Sequence, residues 1–87
     1  DHGRRDIILS VLPQASYRSA LDIGCGDGFI TQRLPASRAV GIDNDPEAIR
    51  RARTCDLRSV TFRELSLWDL SDAFEGQEPF DLIVVSG

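Results

Sequence analysis

The stretch Leu21-Asp22-Ile23-Gly24-Cys25-Gly26-Asp27-Gly28 decides how the rest of the chain is read. An apolar run from Ala20 to Ile23 breaks into three glycines at alternate positions, and Phe29 and Ile30 then resume hydrophobic character. This predicts a buried strand, a tight turn and the start of a helix at Asp27 or Gly28. Glycines let a backbone take positive φ and let a ligand approach with no Cβ in the way. The predicted helix would point its free N–H groups back at the turn. A turn of this kind, at the carboxyl end of a strand in an open parallel sheet, is where such folds bind nucleotide-like ligands.

The chemistry of the turn narrows the ligand. A dinucleotide loop has the pattern G-x-G-x-x-G, and here Phe29 stands where the third glycine would fall. Asp22 and Asp27 flank the turn. A pyrophosphate within ~4 Å of either would be repelled by ~1–4 kcal/mol per charge pair, depending on the effective dielectric. A ligand carrying an amine and a sulfonium, with no phosphate, would be attracted instead. S-adenosylmethionine is such a ligand.

Further along, Arg38-Ala39-Val40-Gly41-Ile42 reads as a second strand ending at Asp43, followed by Asn44-Asp45-Pro46. Asp45 before Pro46 predicts a helix start, with a carboxylate N-cap and proline at the first helical position. Ala48, Ile49, Ala52 and Cys55 form its expected buried face, with Glu47, Arg50, Arg51 and Arg53 in water. Asp43, nineteen residues beyond Gly24, suits a ribose diol, where one carboxylate accepts two hydroxyl hydrogen bonds.

The motif D-I-G-C-G-D-G, together with Gly41-Ile42-Asp43-Asn44-Asp45-Pro46, resembles the class I S-adenosylmethionine-dependent methyltransferases. The resemblance spans nearly the whole chain. It implies a Rossmann-like α/β fold: an open parallel sheet with helices on both faces and strand order 3-2-1-4 in the part present. By resemblance Asp22 would help hold the methionyl amino group, while Gly24, Cys25 and Gly26 bring backbone against the methionyl part. Asp43 would hold the ribose. Asn44 would lie along the adenine with Ser66 and Leu67 beside it, at positions where the family typically has an aspartate and a small or apolar residue. Ser86 would sit where the methyl emerges. No catalytic base is assigned.

The remaining segments fit that frame. Ile7, Ile8, Val11 and Leu12, preceded by Asp6, make one stripe of a short amphipathic helix ended by Pro13, with His2 idle ahead of it. Tyr17 is expected to pack. Val60 and Phe62 alternate on a third strand, Val60 to Leu65. Trp68 is expected over the sheet edge. A polar connection, Asp72 to Pro79, leads to the apolar run Phe80 to Val85, which predicts a strand buried on both faces. Cys25 is read as a small side chain chosen to fit, not as a reactive thiol.

Composition bounds the function. A net charge of −4 and a pI near 4.8 disfavour nucleic acid, whose non-specific recognition relies on Lys and Arg neutralising phosphates. No apolar run approaches a membrane span. Cys25 and Cys55 lack metal or disulfide spacing, so no metal is expected and the setting is taken as cytoplasmic. Ser86-Gly87 departs from the Asn/Asp-Pro-Pro-aromatic signature of DNA-amine methyltransferases, which turns the expectation toward a small-molecule acceptor. The rival readings are a nicotinamide-dependent oxidoreductase and a cofactor-binding or scaffold subunit without turnover. Residues 1–87 are expected to be the cofactor-binding half of a methyltransferase domain. Later chain or a partner subunit would then cover the fourth strand, because a bare apolar edge is an aggregation liability.

Overall fold

The computed structural model describes residues 16–86. The predicted amino-terminal helix and His2 lie outside the described residues. Four strands, β1 (Tyr17–Ile23), β2 (Ala36–Asp43), β3 (Val60–Glu64) and β4 (Leu82–Val85), form one parallel sheet in the order β3-β2-β1-β4. Two α-helices, α1 (Pro46–Ala52) and α2 (Leu70–Ala73), and two 3-10 turns, Thr31–Arg33 and Leu67–Asp69, connect them.

Paired residues share a face of the sheet, and the register separates the two faces. Ala20 and Asp22 align with Ala39 and Gly41 on one side and with Leu82 and Val84 on the other; Val60 and Phe62 complete those rows. This face is covered by Ile30 and Leu34 and by Ile49 and Ala52 of α1, which pack with Cys25 and Phe62. The opposite face carries Leu21, Ile23, Val40 and Ile42 under Leu65, Leu70, Phe74 and Phe80. Phe74 and Phe80 meet edge to face, centroids 5.3 Å apart. Helical segments thus lie on both faces, as expected. Each large side chain fully buried in these layers contributes ~1.5–3 kcal/mol, which is what holds so short a set of helices onto the sheet.

α1 forms as its sequence dictates. The Asp45 carboxylate accepts the Glu47 N–H at 3.0 Å, and Pro46 at the first position forfeits no intrahelical bond. Ala48, Ile49 and Ala52 are buried. The helix expected from Asp27 or Gly28 is instead the 3-10 turn Thr31–Arg33. Gly28 takes φ 85°, outside the helical range, and Pro35 forces Leu34 into extended geometry (φ −66°, ψ 137°). The segment between them is too short for α-helix. Gly28 itself has no room for a side chain, since a Cβ there would lie 2.6 Å from the Phe62 ring.

Two other expectations change. Trp68 is 91% exposed and covers no sheet edge, because the 3-10 turn that carries it stands off the end of β3. β4 alternates buried and exposed: Leu82 and Val84 are covered, while Ile83 and Val85 are 55% and 52% exposed. Nothing among the described residues crosses that part of the second face. Tyr17 packs in the core, as expected.

Candidate cofactor-binding site

The carboxyl ends of β1 and β2 converge with the turn after β3. The glycine turn begins where β1 ends, with Gly24, Gly26 and Gly28 at φ 73°, 57° and 85°. These are left-handed conformations that a Cβ disfavours. The N–H groups of Gly24 and Cys25 both reach the Ile42 carbonyl, each at 2.9 Å. The Gly26 N–H donates to Asp43 Oδ2 at 2.9 Å, and the Asp45 N–H to Asp43 Oδ1 at 2.9 Å. The loop is therefore stitched to the end of β2.

Between the two lies a cleft of about 160 Å³ lined by Ile23, Gly24, Ile42, Asp43, Asn44, Leu65 and Leu67. Four of the expected site residues, Gly24, Asp43, Asn44 and Leu67, are thus brought together. Ser66 lies in an adjoining hollow of about 320 Å³ with Asn44, Glu64, Leu65 and Asp69. Its hydroxyl donates to Asp69 Oδ2 at 2.9 Å. Among the described residues the lining carries carboxylates and apolar side chains and no Lys or Arg, a surface that suits hydroxyls and an apolar ring and repels phosphate.

Asp22, Cys25 and Ser86 form a layer behind the loop. Asp22 is wholly buried. Its Oδ2 accepts the Thr31 hydroxyl at 2.6 Å, and its Oδ1 accepts the Ser86 hydroxyl at 2.5 Å. Short bonds to a charged acceptor are the strong kind, and this pair joins the ends of β1 and β4 to the 3-10 turn. Ser86 also lies 3.4 Å from the Gly24 carbonyl oxygen, and its N–H donates to the Ile23 carbonyl at 3.1 Å. Cys25 is 3% exposed. Burial first, then the charges of Asp22 and Asp43, push its thiol up to about 12. A thiol so held is protonated at neutral pH and a poor nucleophile, in keeping with a residue chosen to fit.

The sequence reading did not single out Thr31, nor Ile23, Ile42 and Leu65 as cleft walls. Ile23 and Ile42 could have been found, since both end strands beside the glycine loop and Asp43. Thr31 left no signal, because its contact depends on how the turn folds back over β1.

Comparison with known proteins agrees with this geometry. A family model described as a methyltransferase domain matches residues 15–87. An uncharacterised methyltransferase of Schizosaccharomyces pombe is 38% identical over 78 residues, 87% of this chain and 29% of that protein. A ribosomal protein L11 methyltransferase of Thermosipho africanus is 37% identical over 67 residues, 74% of this chain and 25% of that protein. Among solved structures, a plantazolicin methyltransferase in complex with SAH superposes with a TM-score of 0.64 at 30% identity, covering 79% of this chain and 27% of that one. The chain spans between a quarter and a third of the length of these relatives. On the fold, the glycine loop with its acidic partner, and the match over most of its length, the chain belongs to the class I S-adenosylmethionine-dependent methyltransferases.

Proposed function

We propose that residues 1–87 are the cofactor-binding half of a methyltransferase domain, in a protein that transfers the methyl group of S-adenosylmethionine to a small molecule. The observation that carries the cofactor reading is the cleft itself. Asp43 lines it beside Gly24 and Asn44, apolar walls come from Ile42, Leu65 and Leu67, and no Lys or Arg among the described residues lines it. The donor and acceptor set fits adenosylmethionine. Asp43 retains lone pairs for the ribose hydroxyls beyond the two N–H groups it already accepts. Leu65, Leu67, Ser66 and Asn44 would hold the adenine.

The bound cofactor supplies a methyl group already activated by its sulfonium. What remains for the protein is alignment, and alignment is worth a large share of such a barrier. Gly24, Cys25 and Gly26 place backbone along the methionyl part. Asp22 acts on the amino group from behind the loop. Ser86, which gives its hydroxyl proton to Asp22, stands at the end of β4 where the methyl emerges.

The acidic surface and the absence of the base-amine signature at Ser86-Gly87 favour a small acceptor. Ile83 and Val85, half exposed on β4, are where later chain or a partner subunit would pack. No helix of the described residues is long and apolar enough to cross a membrane.

Methyl-labelled adenosylmethionine incubated with the protein and a soluble extract tests the acceptor. Label is expected in the low-mass fraction. Label in protein or nucleic acid would overturn the small-molecule reading. Cofactor binding with no transfer to any fraction would favour the non-catalytic subunit.

A further inference from the structure

Three successive N–H groups of the glycine loop point at the end of β2. The first two, from Gly24 and Cys25, share the Ile42 carbonyl, each at 2.9 Å. The third, from Gly26, has the Asp43 carboxylate at 2.9 Å. Little else fixes Gly26: a Cβ placed there would meet no atom within 4 Å, its carbonyl accepts only a long, weak contact from the Cys25 thiol at 3.7 Å, and its φ of 57° is one of many a glycine can take. The second carboxylate oxygen of Asp43 accepts the Asp45 N–H at 2.9 Å, at the entry to α1. One side chain therefore ties the loop after β1 to the turn after β2, and the cleft opens between those two segments.

We infer that Asp43 is a positioning residue for the glycine loop, acting through the Gly26 N–H before any ligand arrives. Its effect on binding then has two parts. One is the direct contact with the ribose, which belongs to the cofactor reading above. The other is preorganisation of Gly24 to Gly26 against the methionyl part, and that part needs no ribose hydroxyl. A bond from a backbone N–H to a carboxylate is of the stronger, charge-assisted kind, and it fixes a residue whose backbone entropy is otherwise the largest of any type. The contact exists independently of the cofactor reading; its consequence for affinity rests on that reading.

Two readouts on Asp43→Ala separate the parts. Amide hydrogen exchange of the ligand-free protein should show the Gly26 amide opening at least about tenfold faster than in the parent, the scale of one lost charge-assisted bond. The Gly24 and Cys25 amides, held by Ile42, should change less. Calorimetry with S-adenosylhomocysteine and with its 2′,3′-dideoxy analogue should show both weakened in the variant. Asp43→Asn, nearly isosteric, guards against a failure to fold: its one carbonyl oxygen can serve one of the two N–H groups, and an intermediate exchange rate is expected. Unchanged exchange at Gly26 in both variants would overturn the inference. So would a dideoxy analogue that binds Asp43→Ala as tightly as the parent while S-adenosylhomocysteine is weakened, since Asp43 would then act through the ribose alone. If the parent binds neither ligand, the cofactor reading falls, and the exchange data still decide whether Asp43 holds the loop.

Discussion

β1 is flanked by two strands of similar composition and unlike surroundings. On the second face, Leu21 aligns with Val40 of β2 and Ile83 of β4, and Ile23 aligns with Ile42 and Val85. Val40 and Ile42 are buried, whereas Ile83 and Val85 in the same rows are more than half exposed. The difference lies in what crosses above them. Leu65, Leu70, Phe74 and Phe80 reach over Leu21, Val40 and Ile42, and nothing described reaches over the β4 side. Burial of a strand residue is therefore set by the segment that passes over it, and an apolar run by itself states only that cover is needed.

The largest effect expected from this contrast is on stability. Leu21→Ala removes a side chain with almost no exposed surface and should cost ~2–5 kcal/mol in denaturant unfolding. Ile83→Ala, in the same row on the adjacent strand, should stay within about 0.5 kcal/mol wherever no further segment or partner covers it, as surface substitutions do. An Ile83 variant as damaging as the Leu21 variant would mean that Ile83 is covered in solution, and the comparison would break.

The first face allows a sharper test of tight packing. A Cβ on Gly41 would lie 2.8 Å from the Phe62 ring and 2.9 Å from Cys25 Sγ. Gly41→Ala should cost ~1–3 kcal/mol through overpacking, read as a lowered melting temperature. A neutral outcome would show that Cys25 and the Phe62 ring give way more easily than the geometry implies.

The smallest effect concerns the thiols. Cys25 is buried and Cys55 partly so, so a thiol reagent at mild alkaline pH should label Cys55 well before Cys25. The sign of the pH effect follows from the raised pKa. Burial pushes the folded thiol from 9.0 up to about 12, so stability is unaffected by this group below about 9 and falls as pH rises from there toward 12, where only the unfolded thiol ionises freely. Equal labelling rates for the two thiols at pH 8 would contradict the burial of Cys25.

Much of this was legible in the sequence, for physical reasons that can be named. β1 and β2 announce themselves as apolar runs ending in glycine or aspartate, and Asp45-Pro46 carries its own capping chemistry, so these strands and α1 follow from the residues, while the strand order follows from the family resemblance. Gly24 and Asp43 are legible from the glycine turn and the strand-end aspartate, whereas Asn44 and Leu67 enter through the family resemblance; all four line one cleft. The misread helix after Gly28 shows the limit. Phe29, Ile30, Arg33 and Leu34 have a spacing that serves a 3-10 turn as well as an α-helix, and the backbone angle of Gly28 decides between them. The exposure of Trp68 depends on the path of the chain after β3, which no local pattern encodes. Thr31 was missed for the same reason: its bond to Asp22 is a tertiary contact between residues with no shared periodicity.

The central claim is that the glycine loop and Asp43 form a site for adenosylmethionine and not for a dinucleotide. Titration calorimetry of the protein with S-adenosylhomocysteine and, separately, with NAD tests it most directly. Saturable binding of S-adenosylhomocysteine with no heat from NAD is the predicted result. Micromolar binding of NAD with no signal from S-adenosylhomocysteine would contradict it.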